Sequence, residues 1–312
     1  MLTRLAILSV FVFAFAGCGS SGDDPASTST PTAPQPTSSA TPGAQTSDTP
    51  PTSTSGANAF IGSIAVDPGD GTVMLGTGLG LFRLDKGAKN AQRVTGQLST
   101  PSGSGSLSSN LVVSYAGSGS LVASGHPEGG SLPENLGVIR SENHGNTWAS
   151  VSELGRSDYH ILQANNRHVV GVLAEAREVR VSDDGGASFE DHTLPDMPLD
   201  VAFDPRDPER MVAATEQGTY TSLDAGRSWR QRENTAADRL AWGETLYRAD
   251  PGGAIKSSSD GVVTWKDAGT VDTTVNSLAV DAGGAIYAGV VGGEVKRSTD
   301  GGATWTRLVK LK

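Results

Sequence analysis

One stretch of the sequence combines residue types that bind metal ions or transfer protons. Residues 124–136 read SGHPEGGSLPENL and carry His126, Glu128 and Glu134. Histidine together with carboxylates suits a divalent metal ion, and paired carboxylates are the acid and nucleophile of most glycosidases. No His-x-x-x-His spacing or other compact ligand motif accompanies them. We therefore predict a ligand-binding or catalytic loop here, with no cofactor required and a divalent metal as an open option.

Further charged side chains lie close to short apolar runs that we predict to be strands. Their role depends on where those strands place them, because an aspartate ahead of a strand also caps turns without binding anything. A position on one common face would instead make them an acidic, histidine-containing pocket for a metal, a cation or a sugar. These candidates are Asp158, His160, Glu175, Asp200, Asp238 and Arg239.

A repeated eight-residue segment indicates which elements position these side chains. Four copies follow Ser-x-Asp/Asn-x-Gly-x-Ser/Thr-aromatic, a fifth has Val262 in place of glycine, and a sixth keeps only Asp85 and Gly87. The five good copies begin 41, 40, 36 and 40 residues apart. A fixed period of this length is typical of architectures that stack one structural unit after another. In chain order the copies span residues 83–90, 141–148, 182–189, 222–229, 258–265 and 298–305.

Each copy has the composition of a self-sufficient hairpin turn. The acidic or amide side chain accepts backbone N–H groups within the turn, the glycine supplies a positive φ, and the aromatic ring buries a large apolar area. We therefore assign these residues a structural role. The acidic or amide positions are Asp85, Asn143, Asp184, Asp224, Asp260 and Asp300, and the aromatic positions are Trp148, Phe189, Trp229, Trp265 and Trp305.

The repeated segment resembles the Asp-box, or BNR, motif of sialidases, sortilins and related β-propellers, over about residues 60–308. The resemblance implies an all-β propeller with the boxes between the third and fourth strands of each blade, on the face away from the ligand. A second recurring unit, such as Ile-Ala-Val-Asp67 and Val-Ala-Phe-Asp204, fits the first strand of a blade. Units starting near residues 61, 107, 158, 198, 236 and 275 predict six four-stranded blades, with seven as the alternative.

The predicted fold places the candidate side chains on the face opposite the boxes. The segment SGHPEG…LPENLGVIRS also resembles a group of exported bacterial Asp-box propellers that are often labelled glycosyl hydrolases, which locates a site without naming a reaction. The Phe-Arg-Ile-Pro sequence of sialidases is absent, and its nearest counterpart begins at Phe82. We predict a binding or assembly module for an envelope protein or glycan, and the alternative is a sialidase-like or other carboxylate-pair glycosidase.

The N-terminal residues have the features of an export signal. Arg4 precedes an apolar run of twelve residues, which suits a signal peptide and is shorter than the roughly 20 residues of a membrane-spanning helix. The sequence Phe-Ala-Gly-Cys18 resembles the lipobox of bacterial lipoproteins, in which the cysteine is acylated after cleavage ahead of it. We predict a signal peptide at 1–17, a lipid-bearing Cys18 with a disordered Ser/Thr/Pro-rich tether to residue 58, and a propeller at 59–312.

The composition excludes some classes of binding partner. The formal net charge is −10, and the chain has a single cysteine, so an intrachain disulfide framework is excluded. An acidic body lacks the basic footprint that nucleic acids require. We therefore expect no nucleic-acid partner, membrane contact through the lipid anchor only, and a monomer. The expected location is the outer face of the bacterial cytoplasmic membrane or the cell surface.

Overall fold

The computed structural model describes residues 60–107, 110–127, 132–261 and 264–311. Across these residues the regular structure consists of strands, and they contain no helix that could cross a membrane. The predicted signal peptide, Cys18 and tether lie outside the described residues, as does Glu128.

The strands form a six-bladed β-propeller, which confirms the predicted fold class and blade number. Every blade contains four antiparallel strands that follow one another along the chain. Blade 1 contains β1 (Ile61–Val66), β2 (Val73–Thr77), β3 (Gly80–Leu84) and β4 (Gln92–Val94). An inserted hairpin follows, with β5 (Gly96–Thr100) and β6 (Gly103–Leu107). Blade 2 contains β7 (Asn110–Gly117), β8 (Ser120–His126), β9 (Val138–Ser141) and β10 (Thr147–Ser152).

The remaining four blades have no such insertion. Blade 3 contains β11 (Tyr159–Asn165), β12 (His168–Leu173), β13 (Glu178–Ser182) and β14 (Glu190–Thr193). Blade 4 contains β15 (Pro198–Asp204), β16 (Asp207–Thr215), β17 (Gly218–Ser222) and β18 (Arg230–Glu233). Blade 5 contains β19 (Arg239–Trp242), β20 (Leu246–Ala249), β21 (Ala254–Ser258) and β22 (Lys266–Thr270). Blade 6 contains β23 (Val275–Val280), β24 (Ile286–Val290), β25 (Glu294–Ser298) and β26 (Thr306–Lys310).

The first strands of the blades surround a central channel of about 890 Å³. Because strand direction alternates within a blade, all turns after first strands and all turns between third and fourth strands lie on one face of the ring. We call this the repeat-turn face, because it carries the repeated eight-residue segments, or repeat turns. The loops between second and third strands and the links between blades lie on the opposite face, which we call the link face.

The inserted hairpin extends blade 2 to a six-stranded sheet. Strand β5 pairs in parallel with β10, with Leu98 opposite Trp148, and β6 forms the outer edge. Leu98, Leu107 and Trp148 are all buried in the cluster between blades 1 and 2. Four strands per blade were expected from the repeat, so the hairpin is an addition that covers the indole of Trp148.

The repeat turns are closed by their own side chains. In blade 4, Asp224 Oδ1 accepts the Ser222 hydroxyl at 2.7 Å and the Ser228 backbone amide at 2.8 Å. The other carboxylate oxygen accepts the Ser228 hydroxyl at 2.6 Å. These hydrogen bonds from Ser228 and Ser222 hold the pKa of Asp224 below its usual value. The same bonds form around Asp300, whose pKa is lowered to about 2.

The aromatic residue that ends each good repeat turn packs in an apolar cluster shared with the preceding blade. Trp229 of blade 4, for example, lies with Val179 of blade 3 and Met211 of its own blade. The rings therefore join neighbouring blades as well as closing their own turns. The clusters at these five interfaces contain Trp148, Phe189, Trp229, Trp265 and Trp305.

The interface between blades 1 and 6, which closes the ring, lacks such a ring. The residue directly ahead of the fourth strand is Trp229 in blade 4 and Ala91 in blade 1. Ala91 packs on the cluster of this interface, whereas Asn90, the position aligned from the sequence, is exposed. The aromatic position therefore shifts by one residue, and alanine occupies it.

A cavity of about 440 Å³ opens at the same interface on the repeat-turn face. Val73 and Gly87 line it. Their counterparts in blade 4 are Met211 and Gly226, and a β-carbon on Gly226 would lie 3.6 Å from both the Met211 sulfur and the Trp229 ring. The closing interface is therefore underfilled where the other five hold an aromatic ring.

We expect Ala91→Trp to stabilise the propeller. An indole at this position fills part of the cavity, and cavity filling commonly raises the free energy of unfolding by about 0.5–2 kcal/mol. Urea unfolding followed by circular dichroism measures the change, with Asn90→Trp as the matched control because that position is exposed. A lower stability of Ala91→Trp than of Asn90→Trp would show that the interface is already fully packed.

Candidate functional site

Three of the predicted site residues meet on the link face between blades 2 and 3. His126 is the last residue of β8, and Asp158 and His160 flank the first residue of β11. The two blades are joined beside them, because the Tyr159 backbone amide donates to Ser124 Oγ at 3.2 Å. Residues 32 apart in sequence are thus fixed next to one another by packing between blades.

The three side chains converge on a single oxygen atom. Asp158 Oδ2 lies 2.9 Å from His126 Nε2 and 2.9 Å from His160 Nε2. The potential ligand atoms of the three residues all lie within 4.8 Å of one another. We call His126, Asp158 and His160 the His–Asp cluster.

Electrostatics favour the ionised form of Asp158 and the protonated form of His160. Burial acts to raise the pKa of Asp158, but hydrogen bonds and charges from His160 and His126 outweigh it, and the pKa is lowered. The hydrogen bond to Asp158 raises the pKa of His160 against the effect of burial, and Glu175 adds to the rise. Asp158 is mostly buried, and its Oδ1 atom has no hydrogen-bond partner among the described residues.

The long loop after β8 orients one of the histidines. His126 Nδ1 lies 3.1 Å from the backbone carbonyl oxygen of Glu134. A carbonyl oxygen only accepts hydrogen bonds, so Nδ1 is the protonated nitrogen of that ring. The exposed Glu134 thus contributes to the site through its backbone, and the neighbouring Glu128 lies outside the described residues.

Asp200, Asp238 and Arg239 lie at the channel mouth between blades 4, 5 and 6, whereas Glu175 lies in the loop between β12 and β13 of blade 3, on the side of His160. Both carboxylate oxygens of Asp200 accept backbone amides, from Val201 and from Leu240 of the next blade, each at 2.9 Å. Arg239 Nε donates to the Asn276 carbonyl at 2.5 Å. Its Nη1 donates to the carbonyls of Leu199 and Asp238 at 3.3 and 2.5 Å. These contacts join the first strands of three successive blades.

Asp200 occupies a position that serines hold in other blades. Strand pairing aligns it with Ser63 in blade 1 and Ser277 in blade 6. Ser277 Oγ donates to the Ile61 carbonyl of the next blade at 3.0 Å, and Ser63 Oγ accepts the Val113 amide at 3.1 Å. Burial raises the pKa of Asp200 to about 6, and the charge of Arg239 partly opposes the rise. Burial also raises the pKa of Asp238, and the charge of Arg239 again opposes the rise.

A second histidine–carboxylate group, which sequence analysis did not single out, lies on the repeat-turn face. It consists of Asp67, Asp70 and His144. The Asp67 carboxylate is enclosed and already accepts the amides of Gly69 and Gly119, each at 2.6 Å. Its shortest approach to His144 is 3.6 Å. The recurring Ile-Ala-Val-Asp67 unit signals a turn aspartate, which is how this carboxylate is used.

Comparison with known proteins identifies the class of fold. Residues 137–258, less than half of the chain, match the family model described as sortilin, neurotensin receptor 3. No curated protein sequence matches the chain. The six sheets establish a β-propeller, and the family match over residues 137–258 is consistent with that fold.

Solved structures resemble the propeller at low sequence identity. YCF48 from Cyanidioschyzon merolae is 15% identical, covering 81% of this chain and 85% of that one, with a TM-score of 0.49. The GH74 xyloglucanase from Xanthomonas campestris is 18% identical over 81% of this chain and 45% of that one, with a TM-score of 0.49. A GH74 enzyme from Niastella koreensis is 17% identical with the same coverages and a TM-score of 0.51. The chain spans less than half of either GH74 protein, and these likenesses concern the fold alone.

The raised pKa of Asp200 predicts a distinct pH dependence of stability. A carboxyl group whose folded pKa lies above its unfolded value stabilises the fold below the unfolded pKa of 3.8, and this contribution is lost as the pH rises through about 6. Asp200→Ser, which copies Ser63 and Ser277, should remove that dependence. Between pH 4 and 7 wild type should lose about 2.4 kcal/mol relative to the variant, because most of the contribution is present at pH 4 and almost none at pH 7.

Urea unfolding at pH 4, 5, 6 and 7 tests this dependence. Asp267→Ser is the control, because Asp267 is an exposed carboxylate in a surface ion pair with Lys256. Its stability profile should run parallel to that of wild type. Parallel profiles for Asp200→Ser and wild type would contradict the prediction.

Proposed function

We propose that this propeller is a binding module that engages a protein ligand on its link face. The observation that carries the proposal is the position of the large apolar side chains that remain exposed. Phe60, Met197 and Val291 lie on links or second-to-third-strand loops, hence on the link face, whereas Leu223 lies in a repeat turn. Their exposed fractions range from 41 to 65%.

Three exposed apolar side chains around one end of the channel favour protein recognition. Burying one such side chain at an interface contributes about 1.5–3 kcal/mol, and polar groups between them supply orientation. The link face provides both, since the His–Asp cluster and the Asp200–Arg239 contacts lie at the same end of the ring. On the other face the repeat-turn carboxylates are already bonded within their own turns, as around Asp224.

The proposal includes a location in the cell envelope. We infer that Cys18 bears a lipid and that residues 19–58 act as a tether, on the lipobox resemblance and the Ser/Thr/Pro-rich composition. We also infer that the repeat turns are Asp boxes with a structural role. An envelope protein is then the ligand within reach of the link face.

One observation favours the alternative, a glycosidase. The pKa values of Asp200 and Asp238 are raised at the mouth of one channel, and a glycosidase uses a carboxyl group with a raised pKa as its acid. Against this, both Asp200 oxygens already accept backbone amides. We therefore rank the binding module first.

Site-specific photo-crosslinking distinguishes the two faces. A photoreactive phenylalanine analogue is placed at Met197, Val291 or Leu223 in the full-length chain, expressed in its own envelope. Positions 197 and 291 should give one shared protein adduct, and position 223, a more exposed apolar site on the other face, should not. An adduct of equal yield at position 223, or none at positions 197 and 291, would overturn the assignment of the face.

Affinity and turnover separate binding from catalysis. Once the adduct is identified, Met197→Ser combined with Val291→Ser should weaken its binding about 100-fold, since about 1.4 kcal/mol per side chain is a factor of ten. Leu223→Ser should leave the affinity unchanged. Hydrolysis of a substrate in a broad glycoside panel, lost on Asp238→Asn, would instead support the glycosidase.

A further inference from the structure

We propose that the His–Asp cluster is a binding site for a divalent transition-metal ion, and that Zn²⁺ is the ion its ligand set fits best. The ligands are His126 Nε2, His160 Nε2 and a carboxylate oxygen of Asp158. This inference stands apart from the proposed protein-binding function, because it depends only on these three side chains and their surroundings.

The spacing of the ligand atoms is close to what the ion requires. Zinc binds imidazole nitrogen and carboxylate oxygen at about 2.0–2.2 Å in a tetrahedron, which separates neighbouring ligand atoms by about 3.3–3.5 Å. Both nitrogen-to-oxygen distances in the cluster are 2.9 Å, and all ligand atoms lie within 4.8 Å of one another. An outward movement of a few tenths of an ångström per side chain therefore admits the ion.

The hydrogen bond to the long loop prepares His126 as a ligand. Its Nδ1 faces the Glu134 carbonyl and its Nε2 faces Asp158 Oδ2, so both ring nitrogens point at acceptors. Without an ion, both contacts are satisfied only by the doubly protonated ring. With an ion, the neutral ring donates from Nδ1 and binds through the Nε2 lone pair. A metal-bound histidine that donates its other N–H to a backbone carbonyl is a recurrent arrangement in metalloproteins.

The carboxylate is also incompletely satisfied. Asp158 Oδ1 is buried and has no partner among the described residues, whereas buried polar atoms in proteins are nearly always paired. The position of Asp158 is fixed by the adjacent Tyr159 amide, which is bound to Ser124 of the neighbouring blade. The ligands thus come from two blades that this hydrogen bond already joins, so the three side chains lie together before the ion binds.

The second histidine–carboxylate group contains the same residue types as the His–Asp cluster, but its side chains are used in other contacts. In that group Asp67 already accepts three backbone amides, and His144 Nδ1 lies 3.0 Å from the Tyr115 hydroxyl. Its carboxylate–imidazole distances are 3.6 and 3.9 Å. Backbone amides already donate to both carboxylate oxygens of Asp67, which a metal ion would need as ligands. His144 therefore serves as an internal control.

Three protein ligands leave one coordination position of a tetrahedral zinc ion free. Such open sites bind an exogenous ligand or water, whereas structural zinc sites are closed by four protein ligands. His160 also lines the central channel. A carboxylate, imidazole or water at the channel mouth would complete the coordination.

Calorimetric titration with Zn²⁺ tests the site on the full-length chain carrying Cys18→Ser, which removes the sole thiol. After chelator treatment, one Zn²⁺ should bind per chain at pH 7.5. His126→Ala, His160→Ala and Asp158→Asn should each weaken binding at least 100-fold. His144→Ala should bind as tightly as the parent, and the change is compatible with the backbone because Ala225 occupies the same position of another repeat turn with a similar positive φ.

Folding and proton release provide further readouts. Saturating Zn²⁺ should raise the Tm of the parent and of His144→Ala, because an ion that binds only the folded state stabilises it, and should leave the Tm of His160→Ala unchanged. Lowering the pH from 7.5 to 5.5 should weaken binding, since the imidazoles must lose protons to bind the ion.

Each contrary result identifies an error in the proposal. Stoichiometry of zero, or equal affinity in His126→Ala, His160→Ala and the parent, would overturn it. Loss of binding only in His144→Ala would move the metal to the repeat-turn face and would equally overturn it. If His126→Ala fails to fold, Asp158→Asn, which keeps the size of the side chain, decides the case.

Discussion

Every blade of this protein depends on its two neighbours to bury its faces. A twisted four-stranded sheet exposes an apolar surface on both sides, and only a closed ring covers all of them. Rings from the repeat turns, such as Trp229 against Val179, fill five of the six interfaces. The turn that holds the Asp224 carboxylate therefore does two things at once, since it closes a hairpin and aims an indole at the blade before it.

Because each repeat turn both closes a hairpin and packs on the preceding blade, the fold could be predicted from the sequence. The serine, the acidic residue, the glycine and the aromatic residue of a repeat turn serve one local geometry, so they recur together at a near-constant period. Blade 1 departs from the pattern because the position ahead of its fourth strand is Ala91, one residue beyond the aligned Asn90, which only strand pairing reveals. The hairpin from Gly96 to Leu107 was missed because its sequence is rich in Gly and Ser and is anchored mainly by Leu98 and Leu107.

The face that carries the candidate site could be predicted from the sequence, but the set of side chains that meet there could be predicted only in part. The length of the loop after His126 and the position of Asp158 ahead of a strand directed attention to the end of the ring where the His–Asp cluster lies. Which side chains meet there depends on the packing of blade 2 against blade 3, a contact between residues 32 apart that no local pattern encodes. Asp200 looked equivalent to Asp158 in the sequence, but its register matches Ser63 and Ser277, and its carboxylate links two blades.

The ring closes without sharing a sheet between its two ends. Blade 1 and blade 6 are each built from one uninterrupted piece of chain, and the junction relies on side-chain packing and on Ser277 reaching the Ile61 carbonyl. The junction between blades 6 and 1 therefore lies between two whole blades. In topology it is equivalent to any other inter-blade link. A circular permutant opened ahead of Pro198 would keep all six sheets intact and carry the underfilled junction into the middle of the chain. Growth or loss of the ring by duplication or deletion of entire blades meets no topological obstacle.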